Sequence, residues 1–109
     1  MSLERSALLL GALLFALAIP LVLRWVPPNP VYGVRTSKTY SDRELWYTAN
    51  RSAGITMAIT GIAMAVVALV VPRLMPNYSE GARVLVIGAI VIFAVVIMVA
   101  RLVWQVLRL

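Results

Sequence analysis

Three long stretches without a charged residue alternate with short polar segments along this chain. Ser6–Leu23, Ser52–Pro72 and Val84–Ala100 run for 18, 21 and 17 residues without Asp, Glu, Lys or Arg. At about 1.5 Å of rise per helical residue, roughly 20 residues cross a hydrocarbon layer of about 30 Å. The flanking arginines can reach back to the headgroups for the two shorter stretches. The pattern predicts an all-α integral membrane protein with three transmembrane helices and one domain over residues 1–109. The first helix is expected at about 3–24 and a polar loop at 25–41. An amphipathic start leading into the second helix is expected at about 42–71, and the third helix at about 80–104.

The polar block Pro27–Asn50 breaks this pattern most sharply. Pro20 lies inside the first apolar stretch, where a membrane helix can accommodate the missing donor. Pro27, Pro28 and Pro30 end that helix and force an extended path, because each also disfavours the α region for its predecessor. Tyr32-Gly33 predicts a turn, with Gly33 free to take positive φ. Ser41-Asp42-Arg43-Glu44 has the form of a capping box, with Asp42 adding favourable charge at the helix start. From Asp42 onward the helix either continues unbroken into the second span or bends near Gly54. Trp46, Asn50 and Gly54 fall at i, i+4 and i+8 and so share a face. Gly54, Ala58, Gly61, Ala65 and Ala68 form a small-residue stripe of the kind that lets membrane helices approach closely. Asn77 or Ser79 is the expected cap of the third helix.

Composition narrows the function. Of 109 residues, 62% are apolar and 13% charged, with no cysteine and no histidine. This removes disulfides, thiolate chemistry, imidazole metal sites and Ser–His or Cys–His catalysis. The net charge of +6 sits at helix ends, which points to membrane lipids and not to direct contact with nucleic acid. Arg24, Arg35, Lys38, Arg43, Arg51, Arg101 and Arg108 fall on one side, and Arg5, Arg73 and Arg83 on the other. That excess predicts a multi-pass cell-membrane protein with a cytoplasmic first loop and C-terminus. Ala16-Leu17-Ala18 has the look of a signal-peptide cleavage site. However, Glu4 and Arg5 cancel, and Pro20 would lie two residues past the cut, so the segment is expected to stay as a helix.

The block's donors and aromatic faces make it the candidate site. Arg35 is suited to pair with a carboxylate or phosphate, whether on a ligand or on Asp42 or Glu44 of the same chain. An enzyme is not expected, since Glu4, Asp42, Glu44 and Glu80 are the only carboxylates and none pairs with a nucleophile. A metal held by Asp42, Glu44 and Asn50 is disfavoured: Asp42 and Glu44, two residues apart, diverge by about 200° on a helix. The expected catalytic, metal and cofactor sets are therefore empty.

Pro28-Asn29, Tyr32-Gly33-Val34-Arg35-Thr36, Thr39, Trp46, Asn50 and Gly54 together resemble the signature of the SdpI-type membrane proteins. In that family a PN-x-x-YG-x-R-T segment follows a membrane helix, and a W…N…G helix start leads into the next. The resemblance covers Pro27–Gly54, about a quarter of the chain, and is to a short, three-helix form. It implies immunity to a secreted toxic or antimicrobial peptide through binding at the membrane. It also implies a signalling role in which a transcriptional repressor is held there. Carried over residue by residue, the motif positions are Asn29, Tyr32, Gly33, Arg35, Thr36, Thr39, Trp46, Asn50 and Gly54. The alternative is a structural or assembly subunit whose polar block docks another membrane protein. Separately, a three-helix protein of this size has little interior, which leaves room for a homo-oligomer. A small transporter is less favoured, because no ionisable residue lies mid-span.

Overall fold

The computed structural model describes residues 2–109. Four helices follow in order: α1 (Leu3–Val22), α2 (Ser37–Ser41), α3 (Arg43–Leu74) and α4 (Glu80–Leu107). Three of them are long and apolar enough to cross a membrane. The molecule is a rod of 55 × 23 × 19 Å, longer than the hydrocarbon layer is thick. Its surplus length lies largely in α3, whose 32 residues span about 48 Å and carry Arg43, Glu44 and Arg51 beyond the apolar zone.

Antiparallel packing of α1 on α3 forms the spine. Lipid tails are as apolar as leucine, so membrane helices associate by close packing. Here the backbones themselves meet. A Cβ on Gly11 would stand 2.5 Å from the Gly61 carbonyl oxygen, and one on Gly61 would stand 2.5 Å from the Gly11 carbonyl oxygen. Two turns further along each helix, Gly54 lies against Ala18 and Leu21. The small-residue stripe expected on α3 thus meets a complementary one on α1, Gly11 and Ala18, both buried.

The third span is attached differently. Of α4 only Ile87 is buried, in a cluster with Ala7, Ala68 and Val71 at the end away from the polar block. Leu85, Ile92, Phe93 and Val96 are exposed, which is the ordinary arrangement for a helix facing lipid. Within the bundle, Thr56 and Thr60 turn their hydroxyls onto the carbonyls of Ser52 and Thr56, so each donor is satisfied inside its own helix.

Several boundaries differ from expectation. The 25–41 segment is not loop throughout, because its end winds into α2. The capping box is not at Ser41–Glu44. Ser41 closes α2 and donates to the Lys38 carbonyl, while an extended Asp42 caps α3, accepting from the amides of Glu44 and Leu45 at 3.0 and 3.2 Å. A carboxylate is a charge-assisted acceptor and takes the cap. The reciprocal box is formed by Thr36 and Thr39, with Thr39 Nα donating to Thr36 Oγ1 at 3.1 Å and Thr36 Nα donating to Thr39 Oγ1 at 2.8 Å. Between the two proposed paths for α3, the unbroken helix is the one taken, through Gly54 and past Pro72 to Leu74. The third span runs on to Leu107, capped at its start by Ser79.

The glycine contact yields a clean test. Gly61→Ala drives a methyl into backbone and is expected to lower unfolding stability in detergent by about 1–3 kcal/mol. Gly81→Ala meets nothing closer than Ser79 Oγ at 3.9 Å and should leave the thermal midpoint unchanged or raised. A Gly61→Ala protein melting with the wild type would refute the contact.

Candidate functional site

The polar block folds into a cap over the end of the α1–α3 seam. It begins where α1 stops. Arg24 takes positive φ (62°), and the amides of Arg24 and Trp25 donate back to Leu21 and Pro20 in a Schellman arrangement. An arginine pays a steric penalty in the left-handed region. Its side chain is held in place nearby, 3.0 Å from Glu44 and 5.4 Å from the Tyr47 ring centre. Both charges are largely solvated, so this pair orients more than it stabilises.

Asn29 organises the next turn with its full hydrogen-bonding capacity. Its Oδ1 accepts from the amides of Val31 (2.9 Å) and Tyr32 (2.7 Å), and its Nδ2 donates to the carbonyls of Pro27 (2.8 Å) and Tyr32 (3.0 Å). The Tyr40 hydroxyl donates to the Asn29 carbonyl at 2.8 Å, tying α2 to the turn. Gly33 sits at φ 112°, in the left-handed half of the map, and a Cβ there would stand 2.5 Å from Asn50 Oδ1. No other residue fits both constraints.

The first turns of α3 hold this cap from below. Trp46 is fully buried; its Nε1 donates to the Val26 carbonyl at 2.8 Å, and its ring stacks on Tyr40 at 5.6 Å between centres. Asn50, 2% exposed, accepts from the Val34 amide through Oδ1 and donates through Nδ2 to the Trp46 carbonyl at 2.9 Å and, more weakly, to the Val34 carbonyl. Thr39, also fully buried, donates through Oγ1 to the same Val34 carbonyl at 3.0 Å. Trp46 and Asn50 face the cap, and Gly54 on the same helix face receives α1. One stripe of α3 therefore serves both jobs.

The structure divides the nine motif positions into seven that build the cap, one that points outward and one between. Asn29, Gly33, Thr36, Thr39, Trp46, Asn50 and Gly54 are brought together to build the cap and seat it. Arg35 points outward: its guanidinium reaches the Pro30 carbonyl and is otherwise free, with no carboxylate beside it. Tyr32 is intermediate, its hydroxyl buried without a hydrogen-bond partner and its pKa pushed above 10 by burial. Lys38, Tyr40, Trp25 (67%) and Val31 (82%) are exposed on the cap as well. The carboxylates considered for a metal are committed elsewhere, Asp42 to capping α3 and Glu44 to Arg24. Among the described residues no group of three His, Cys, Asp or Glu side chains is placed to hold a metal.

Two contributors escape a reading of the sequence. Gly11 was legible in principle, since Gly11–Ala18 has the same seven-residue spacing as Gly54–Gly61. Arg24 was not, because nothing in its neighbours marks it for positive φ.

The model of the SdpI/YfhL protein family matches residues 26–101, which take in the cap, the second span and the third span up to Arg101. The uncharacterized protein YfhL of Bacillus subtilis (strain 168) is 38% identical over 48 residues, covering 41% of this chain and 44% of that protein. The match thus spans less than half the length of that relative. No solved structure matches.

If the cap hangs on Asn50, Asn50→Leu should leave Val34 without its partner and expose the Val26–Ser41 segment to amide hydrogen exchange. Loss of a buried hydrogen-bonded group costs about 1–3 kcal/mol, which would accelerate exchange there by about tenfold or more. The middle of α3 should stay protected. Uniform loosening of all helices, or none, would contradict this assignment.

Proposed function

Because the chain belongs to the SdpI/YfhL protein family, we propose that it is an immunity-type membrane protein that meets a membrane-active peptide at the outer face of its cap. The division of the motif carries this reading. Seven of its positions go into internal construction, and the resulting cap leaves Arg35, Lys38, Val31, Trp25 and Tyr40 exposed. Apolar surface edged by unneutralised positive charge suits a hydrophobic peptide bearing a carboxylate, which a guanidinium can grip with two parallel hydrogen bonds. The same edge repels a strongly cationic peptide.

In this reading the cap and the C-terminus lie on the cytoplasmic side, which the excess of Lys and Arg at that end favours. There the cap reaches a peptide that has entered the bilayer. A transcriptional repressor held at the membrane, the signalling arm implied by the family's namesake, would meet the same face.

Two outcomes are expected. In cells challenged with a membrane-active toxin peptide, Arg35→Ala should lower protection by about tenfold, the worth of a charge-assisted hydrogen bond, at unchanged membrane abundance. Trp46→Ala removes a fully buried side chain and should instead lower abundance. Full protection by Arg35→Ala and Lys38→Ala variants at wild-type abundance would remove the cap as the working surface. Orientation is tested separately. The chain has no native cysteine, so Lys38→Cys and Asn77→Cys give single labelling sites. An impermeant maleimide should label the second in intact cells and the first only after permeabilisation; the reverse would overturn the orientation.

A further inference from the structure

Away from the outer face of the cap, α4 leaves a cleft against α3 as it nears its C-terminal end. A cavity of about 340 Å³ opens there, walled by Thr48 and Ser52 of α3, by Val34 of the cap, by Arg101 and Gln105 of α4, and by Arg108, which caps that helix. Arg101 and Gln105 fall at i and i+4 on one face of α4, and the C-cap Arg108, at i+7 and still in the α region, continues that face. A second cavity of about 300 Å³ continues from the first, sharing Ser52, Arg101 and Gln105 with it, and runs between Ile55 and Ile59 on one side and Ile97 and Met98 on the other.

The chemistry of this groove changes along its length. Its outer part offers two guanidiniums and two hydroxyls, and no acidic side chain lines either cavity. Asp42 and Glu44 are engaged in capping and with Arg24, and Glu4 and Glu80 lie in the first turns of α1 and α4, at the far end of the rod. The Arg108 guanidinium is held 5.2 Å from the centre of the Trp104 ring, an aromatic residue suited to headgroup depth. Gln105 donates to Thr56 Oγ1 at 3.2 Å, closing the helix pair at this level, while its Oε1 is buried with no partner. The inner part is lined by Ile55, Ile59, Ile97 and Met98 together with Thr56 and Thr60, whose hydroxyls are already turned onto the carbonyls of their own helix.

We propose that this groove binds one anionic glycerophospholipid. The phosphate sits between Arg101 and Arg108, and an acyl chain lies along Ile55, Ile59, Ile97 and Met98. Two unneutralised arginines at one end of an apolar trough match the two ends of such a lipid, and the guanidinium is the side chain best shaped for a phosphate. A small rotation of the Gln105 amide presents its orphaned oxygen to a headgroup hydroxyl. The lipid would fill the wedge that α4 leaves open and pin that helix to α3. The proposal rests on the membrane-spanning fold and stands or falls independently of peptide immunity.

The test is native mass spectrometry of the detergent-solubilised full chain with equimolar palmitoyl-oleoyl phosphatidylglycerol and phosphatidylcholine. The wild type should retain one phosphatidylglycerol with about tenfold preference. Arg101→Gln/Arg108→Gln should bring that preference near unity, and Arg73→Gln, at the opposite end, should preserve it. Ile59→Trp, which keeps both arginines and fills the trough, should also abolish retention, so the result does not hang on one variant folding. Glycerol 3-phosphate in about hundredfold excess should leave the lipid bound. Its displacement would assign the cleft to a soluble phosphate and overturn the proposal. So would equal retention of the two lipids by the wild type, or an undiminished preference in the double arginine variant.

Discussion

Asn50 holds Val34 by its amide, and Thr39 secures the carbonyl of the same residue. Most of what is distinctive in this structure depends on that anchorage. The chain between α1 and α2 has three prolines and no regular hydrogen-bonding ladder, yet it lies at the rim of a membrane, where unpaired backbone groups are costly. A buried amide side chain, with one donor end and one acceptor end, can serve such a backbone where a hydroxyl or a charge would do so less completely. Once Val34 is fixed, the turn must pass Gly33 at positive φ with no room for a Cβ, and Arg35 emerges on the outside. Val34 also walls the cleft beside α4. The cap and the cleft therefore share a single support.

The two helix pairs show contrasting solutions to packing without a hydrophobic drive. Between α1 and α3, missing side chains allow backbone contact at Gly11 and Gly61 and again near Gly54, and this sets the seam closely. Between α3 and α4, attachment is concentrated at two levels: the Ile87 cluster at one end and the Gln105–Thr56 hydrogen bond at the other. Such an arrangement leaves space between branched side chains. That space becomes useful only because Arg101 and Arg108 flank it at headgroup level. A gap that would be a packing defect in water is, in a bilayer, a place for lipid.

The motif illustrates how a sequence signature can mislead about roles. Trp46 looks like an interfacial anchor or a ligand platform, and in fact it is wholly enclosed, serving the Val26 carbonyl and stacking on Tyr40. Ser41 and Glu44 have the spacing of a capping box. Asp42, next after Ser41, takes the cap, because a carboxylate competes better for two amides and Glu44 has Arg24 as a counter-ion. Of the motif positions, Arg35 alone sends its charge outward.

By itself the sequence determined the number of spans, their approximate limits and the closeness of α3 to a neighbour. Charge-free length and the spacing of small residues are local properties that the bilayer reads directly. It also marked the cap as the place where polar groups converge. Only the tertiary structure decided which polar residues are consumed by the fold and which are left free. That depends on backbone groups many residues away, such as Val26 for Trp46 and Val34 for Asn50, and these have no side-chain signal. The pairing of Gly11 with Gly61, the left-handed turn at Arg24 and the arginine-lined cleft arise in the same way, from the meeting of segments whose separate patterns carry no information about one another.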